Sequence, residues 1–396
     1  MITKSLDDVE LEGKAVLLRC DLNVPLDGEG KVLDITKIRR HKLTINELIL
    51  KKSKIIIISH LGRPKGKIVK HLSMNMILEA FADELKISEV TVLPFCGPEV
   101  MKKVVDAMSD GSIAFIENIR FYPQEEKNDL NFAKKLSKIA DIYVNDAFSV
   151  SHRKHISTYQ LSKLLPSFAG RSLQLELEML EKINNNIDKP VMAIIGGSKI
   201  STKISLLENL IKKVDFLVIG GAMANTFLLA QGKEIGKSLI EIDRVKIART
   251  ILNSADKNNC EIILPLDVVV AEDLDSKSSS NVEVDKITAN QAIYDIGEKT
   301  IEKISNTMAV CKTLFWNGPL GVYEKKPFDN STNIIGRTAA ILTKAKIITS
   351  VAGGGDTVAA LNSSEIAGGF SYVSIAGGAL VEWLEGNKLP GLEFLN

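Results

Sequence analysis

The chain has 396 residues, 45% of them apolar and 25% charged, a length and composition that allow two buried cores. Its formal net charge of +1 and pI near 7.6 remove any global electrostatic argument for nucleic acid or an anionic membrane as partner. The opening MITKSLDDVELEGK carries no apolar signal region and no stretch approaches membrane-spanning length, so the cytoplasm is the expected location.

Short apolar runs recur along the chain at intervals that leave room for helices. In order they are AVLLRC (15–20), IIIIS (55–59), IAFIE (113–117), DIYVN (141–145), VMAII (191–195), FLVIG (216–220), EIILP (261–265), TLFWN (313–317) and KIITS (346–350). They are continuous rather than alternating, as in strands of a parallel sheet covered on both faces. Amphipathic stretches such as MNMILEAFADELK and LNFAKKLSKIA lie between them. This is βαβ wiring, and it predicts an α/β fold with doubly wound, mainly parallel sheets. LQLELEMLEKINNNIDKP (173–190) reads as a helix that ends in a polar run before Pro190, and so as a connector. Domains are therefore expected over 1–172 and 191–380. Nothing in the sequence calls for an oligomer, and a monomer is expected.

Four cysteines (Cys20, Cys96, Cys260, Cys311) lie far apart without a CxxC pair, which reads as buried thiols in a reducing compartment. Dividing the chain near residue 186 leaves seven of ten Arg and all five His in the first half, and 19 of 27 Gly in the second. Guanidinium forks suit a small, multiply charged anion, whereas glycine lets bare backbone approach phosphate. Two half-sites for different ligands are implied.

In the first half, polar segments follow the strands: RCDLNVP, SHLGRPKGK, ENIRF and NDAFSVSHR. Ligands of open parallel sheets bind beyond the carboxyl ends of strands, so these loops should share one edge. Singly, Asp21 reads as a turn cap, His60 as a packing histidine and Arg63 as a surface charge. Together, Asp21, Asn23, His60, Arg63, Arg120 and Arg153 would surround a compact anion, with Asp21 orienting a hydroxyl. DITKIRRH (34–41) adds Lys37, Arg39, Arg40 and His41, either as a wet helix face or as further cations for that anion.

In the second half, glycines take the same places in IIGGSKISTK, IGGAMANTF, WNGPLGVYE, VAGGGDTVAA and SIAGGALVE. Helices that open after Gly-Gly turn free N–H groups and a positive dipole end outward. Lys199 and Lys203, spaced i, i+4 on a helix after GGSK, should share one face. Asp356 is placed to hold Mg²⁺ on phosphate oxygens. No GxxxxGK[ST] loop, HRD…DFG pair or GxGxxG with a downstream acid is present.

These segments resemble the phosphoglycerate kinase family over essentially the whole chain. RCDLNVP is similar to the family's R-V-D-F-N-V-P, and SHLGRP, ENIRF, GPEV, LPLDVVVAED, WNGPLGVYE and GGGDT follow in the family's order. The resemblance implies two Rossmann-like domains joined by a helical hinge over 173–190, with residues 381–396 returning to the first domain. It implies reversible phosphoryl transfer between 1,3-bisphosphoglycerate and Mg-ADP, giving 3-phosphoglycerate and Mg-ATP, with closure about the hinge. Asp21, Asn23, His60, Arg63, Arg120 and Arg153 match the triose-phosphate site. Lys203, Asn317, Glu324, Gly354, Gly355, Asp356 and Thr357 match the nucleotide site, with Glu324 on the ribose and Asp356 on the metal. Lys199 matches a lysine that neutralises the transferred group, and Gly377 and Gly378 offer backbone N–H groups to it.

Three departures stand out. The family's I-T-D-D-T-R-I-R appears as VLDITKIRR, which puts Lys37 where an arginine faces the transferred group. The family's S-T-G-G-G-A appears as SIAGGA, with Ile375 and Ala376 in place of Thr and Gly, and Ile293 stands near the adenine position. An active kinase is the expected reading; a relative that binds its ligands without efficient turnover is the alternative.

Overall fold

A computed structural model describes the chain except residues 1, 2, 89, 95, 96, 186, 187, 277, 375 and 396 and the side chains of 182–185. Cys96 and Ile375 thus lie outside the described residues. The chain divides into two compact units, Met1–Leu180 with Lys388–Asn396, and Glu181–Asn387.

Unit 1 contains, in chain order, β1 (Ala15–Arg19), α1 (Thr36–Leu50), β2 (Lys54–Ile58), α2 (Leu78–Leu85), β3 (Thr91–Leu93), α3 (Pro98–Ala107), β4 (Ile113–Ile116), α4 (Leu130–Ser137), β5 (Ile142–Asn145), α5 (Leu161–Leu164) and β6 (Ser167–Ala169). α6 (Arg171–Asn185) leads out of it. The strands form one parallel sheet in the order β3-β4-β2-β1-β5-β6. Alternate residues enter two separate cores: Val16, Leu18, Ile55 and Ile57 pack on one face, Leu17, Ile56 and Ile58 on the other. Burial on both faces is what the unbroken apolar runs encode.

α6 begins two residues ahead of the predicted connector, because the Asp146 carboxylate accepts the Ser172 and Leu173 N–H groups (2.9 and 3.3 Å) and caps its start. The chain re-enters unit 1 at Lys388, where Lys4 N–H donates to Leu395 O (2.7 Å) and Asn145 Nδ2 to Gly391 O (3.0 Å).

Unit 2 contains β7 (Val191–Ile195), α7 (Ile204–Leu210), β8 (Phe216–Ile219), α8 (Ala222–Ala230), α9 (Val245–Lys257), β9 (Glu261–Ile263), β10 (Asp267–Ala271), β11 (Ser280–Glu283), β12 (Ala292–Ile296), α10 (Glu298–Val310), β13 (Thr313–Asn317), α11 (Asn330–Lys344), β14 (Thr349–Gly353), α12 (Gly355–Ser363), β15 (Tyr372–Ser374) and α13 (Gly378–Leu384). Its parallel sheet runs β15-β14-β13-β7-β8-β9. Residues 381–387, the end of α13 and the turn after it, fall in the span expected to return to the first domain but belong to this unit.

Two expectations change here. The ninth strand runs over Thr349–Gly353 rather than 346–350: α11 extends to Lys344, Lys346 turns back with φ 58°, and burial resumes only at Ile348. A small antiparallel sheet, β11-β10-β12, was not apparent in the sequence reading. Its register slips between Val269 and Val270, leaving Tyr294 as an extra residue on β12.

Both parallel sheets reverse strand order beside their first strand, at β1/β5 and at β7/β13. Crevices beyond such switch points are where open α/β sheets bind ligands.

Candidate functional site

In unit 1 the switch point gathers the loops after β1, β2, β4 and β5. Asp21, two residues beyond β1, is buried, and its Oδ2 accepts from Lys37 Nζ (2.8 Å) and Ser149 Oγ (2.5 Å). Burial opposes its ionisation, but the Lys37 ammonium and these hydrogen bonds outweigh burial and hold the carboxyl well below the usual range. Asn23 Oδ1 accepts from Gly62 N–H (2.7 Å), and Arg120 Nη1 donates to Gly62 O (2.9 Å), which fastens the loops after β1, β2 and β4 together. His60 is buried with Nδ1 3.2 Å from Arg19 Nη2; burial and that guanidinium push its pKa far down, so the ring is neutral.

Cations crowd this edge. Arg120 is driven down to about 10 by burial and by Arg153 and Arg19, and His155 to about 4 by burial and by Arg120 and Arg153. His152 is lowered by burial and Arg153, and its buried Nδ1 has no hydrogen-bond partner among the described residues. Groups that depress one another's protonation carry a mutual repulsion that a bound anion relieves. Asn23, Arg153 and His155 are half-buried, and Arg63 is exposed at the tip of its loop. In DITKIRRH the cations separate: Lys37 reaches Asp21, Arg39 faces away toward Glu84 (3.4 Å), and His41 is buried.

In unit 2 the equivalent edge is built from main chain. Gly196, Gly318 and Gly221 interlock: a Cβ on Gly196 would lie 1.9 Å from Pro319 O, one on Gly318 2.3 Å from Gly196 O, and one on Gly221 2.6 Å from Gly197 O. Gly318 (φ 100°) and Gly221 (φ 66°) also occupy the left-handed region. Lys203 Nζ donates to Gly196 O (2.6 Å), Asn317 Oδ1 (2.7 Å) and Asn317 O (3.2 Å), which uses all three of its protons across the ends of β7 and β13. Burial pulls its pKa down to about 8, partly countered by Asp356.

Asn317 Nδ2 donates to Gly353 O (2.8 Å), and Gly318 N–H donates to Thr357 Oγ1 (2.6 Å). Gly354 caps α12 with φ 101°, which sets Gly355 and Asp356 exposed in its first turn. Beside this edge lies a cavity of about 510 Å³, lined among others by Gly197, Ala222, Ile293, Tyr294, Glu324 and Asp356.

Lys199 and Lys203 do not share a helix face. A 3₁₀ turn over Ile200–Thr202 intervenes, α7 begins only at Ile204, and Ser201 is pinned by Glu241 (Oγ–Oε1 2.5 Å); Lys199 is left exposed while Lys203 is half-buried. Helices do open after Gly-Gly at α8, α12 and α13, but not after GGSK or WNGPLG. Gly377 caps α13 with φ 51°, Gly378 is exposed, and buried Ala376 donates its N–H to Ser374 Oγ (3.1 Å).

Sequence reasoning missed several members. Arg19, at the end of β1, is buried and bonds Ser157 Oγ (2.9 Å), which in turn donates to buried Glu125 (2.5 Å). Arg19 lay inside the quoted RCDLNVP, and its place in an apolar run was the available signal. Asp295 and Asn225 line the 510 Å³ cavity from β12 and α8, and burial raises the Asp295 carboxyl to about 7. Neither bore a local signal.

A family model described as Phosphoglycerate kinase matches residues 6–387. A phosphoglycerate kinase of Cereibacter sphaeroides is 48% identical over 394 residues, covering 99% of each chain, and one of Bradyrhizobium diazoefficiens is 49% identical, covering 99% of this chain and 98% of its own. Among solved structures, phosphoglycerate kinase from Coxiella burnetii superposes with a TM-score of 0.91 at 38% identity, covering 99% of this chain and 98% of the other. The enzyme from Pyrococcus horikoshii superposes at 0.84 with 27% identity and the same coverage.

Proposed function

The chain belongs to the phosphoglycerate kinase family, and on that footing we propose how its residues divide the reversible transfer of a phosphoryl group between 1,3-bisphosphoglycerate and ADP. The observation that carries the division is the crowd of mutually repelling cations at the unit 1 switch point, which Glu126 (3.3 Å from Arg120 Nε) and Glu125 offset only in part.

Arg120 and Arg153 take the phosphate of 3-phosphoglycerate, with Arg63 closing over it from its exposed loop. His60, kept neutral, presents a ring nitrogen to the carboxylate end, and Asp21 and Asn23 orient the hydroxyl. Lys37 supplies the charge that faces the transferred group; as an ammonium it does so as a point charge, without a bidentate fork. Phosphoryl transfer asks for positioning and charge neutralisation rather than a nucleophilic side chain, because the acceptor oxygen is already anionic.

In unit 2 we assign the 510 Å³ cavity to the nucleoside, with Ile293 against the base and Glu324 on the ribose hydroxyls. Lys203, Asn317, Thr357 and the amides of Gly354 and Gly355 attend the phosphates, and Gly377 and Gly378 offer amides from the next helix start. Lys199, exposed on its turn, is free to swing to the transferred group. Asp356 fits a magnesium ion that arrives on the nucleotide: one exposed carboxylate in the first turn of α12 suits an ion already held by phosphate oxygens. When bound there, that ion would supply charge stabilisation to the phosphate oxygens.

We also propose a cytoplasmic monomer, supported by membership of a glycolytic family and by the buried free thiols Cys20, Cys260 and Cys311. The reading of a relative impaired by Lys37 gains nothing from the family match. Initial rates with 3-phosphoglycerate and Mg-ATP, coupled to consumption of the product, test the whole assignment; binding of both ligands without turnover would overturn it.

A further inference from the structure

A line of buried hydrogen bonds leaves the Asp21 loop and ends at the connector helix, and its middle member is a histidine with no part in the assignments above. Asp21 N–H donates to His41 Nε2 (2.9 Å), His41 Nδ1 lies 2.7 Å from Asp146 Oδ2, and Asp146 Oδ1 accepts from the N–H groups of Ser172 (2.9 Å) and Leu173 (3.3 Å). His41 and Asp146 are 3% and 1% exposed, so water does not compete for these bonds. With the ring proton on Nδ1, facing the carboxylate, Nε2 accepts the Asp21 amide proton. Burial opposes a second proton, but Cys20 and Asp146 outweigh it and raise the pKa well above the usual value, and a proton on Nε2 would face Asp21 O (3.3 Å) in the same line.

Three features make this more than core filling. His41 lies one turn beyond Lys37 on α1, so a single helix face holds Asp21 twice, by its carboxylate and by its backbone. Asp146 is itself fixed to the other side of the switch point, its N–H donating to Arg19 O (3.0 Å). Gly170 exists at the approach to α6 because a Cβ there would meet Asp146 Oδ1 at 2.3 Å. The two ends of the line are a substrate residue and the first turn of the helix whose later residues, from Glu181, belong to unit 2.

We propose that His41 is a positioning residue that couples 3-phosphoglycerate on the Asp21 loop to the first turn of the connector helix through Asp146. This rests on the assignment of Asp21 to 3-phosphoglycerate. A ligand that draws on the Asp21 carboxylate shifts its backbone N–H; the shift passes to the imidazole, and from there to the carboxylate that caps α6. Coupling of this kind requires only that the ligand favour one arrangement of a contiguous, water-free network over another.

Two substitutions each keep one half of the line. His41→Asn retains a nitrogen donor near Nδ1 for Asp146 but loses the acceptor for Asp21 N–H; His41→Gln retains the acceptor and loses the contact with Asp146. In the full-length protein both should raise KM for 3-phosphoglycerate about tenfold and leave KM for ATP within about twofold. Saturating 3-phosphoglycerate should slow amide exchange at Ser172 and Leu173 about tenfold in the wild type and leave it unchanged in both variants. Wild-type affinity in either variant, or retained slowing, overturns the inference. Should neither variant fold, the wild-type exchange measurement decides alone, and no slowing at Ser172 and Leu173 overturns it. Asp21→Ala separates the premise from the inference. If its KM for 3-phosphoglycerate is unchanged, the Asp21 assignment falls; if it rises while the His41 variants behave as wild type, only the relay falls.

Discussion

The two units share a six-stranded parallel sheet and a switch-point crevice, though not a strand order, and they furnish that crevice by opposite means. Unit 1 fills its crevice with side chains: buried Arg19, Arg120 and His60, half-buried Arg153 and Lys37, and carboxylates that hold them. Unit 2 lines the same place with glycine backbone, and its half-buried ammonium at that edge, Lys203, is bonded to carbonyls rather than carboxylates. On the proposed assignment, related α/β units host a charge-rich basket for a small, compact substrate and a sterically bare track for a long polyphosphate. The difference at the crevice lies in the composition of the loops that line it.

Arg120→Ala is the strongest test of that contrast, because it removes a buried charge at the centre of the basket. KM for 3-phosphoglycerate should rise roughly a hundredfold while KM for ATP barely moves; a comparable rise in both would break the division. Lys203→Ala should do the reverse, raising KM for ATP by about tenfold or more and sparing 3-phosphoglycerate.

Lys203 also gives a pH signature. Its folded pKa of about 8 means the ammonium is present below that pH and lost above it, so KM for ATP should climb between about pH 7 and 9. KM for 3-phosphoglycerate should stay flat over that range, and Lys203→Arg should abolish the climb, since guanidinium does not titrate there. Gly318→Ala tests the bare track, with a stability loss of about 2 kcal/mol or more by thermal or denaturant unfolding, set by φ 100° and the 2.3 Å approach to Gly196 O. Lys37→Arg should have the smallest effect, a turnover number unchanged or raised within about threefold. A loss beyond tenfold would mean the Asp21 pocket is shaped around an ammonium.

Most of the architecture was legible because parallel strands buried on both faces write themselves as continuous apolar runs. IIIIS and VMAII became β2 and β7 with shifts of a residue at most. β11 and β12 were not, since edge strands of an antiparallel sheet with half-exposed residues such as Ile293 and Tyr294 lack that mark. At the site, Asp21, Asn23, His60, Arg120 and Arg153 are brought to one sheet edge, as loops following adjacent strands must be. Lys199 and Lys203 failed because i, i+4 spacing implies a shared face only if the helix is continuous, and the Glu241 contacts hold a 3₁₀ turn there instead. Arg19, Asp146 and His41 were invisible as a group: their bonds join residues far apart in sequence, and no local pattern announces a buried polar chain.

The interlocked glycines at the β7 and β13 edge also predict how this gene would tolerate damage. A lesion at Arg120 or Arg153 should leave a folded protein at normal abundance that turns over poorly. A lesion at Gly196, Gly318 or Gly221 strikes the packing of the edge itself, so the protein should be cleared before its kinetics matter. Inactive alleles from a random screen would then sort into two piles by immunoblot alone, bright bands from the first half of the chain and faint ones from the second.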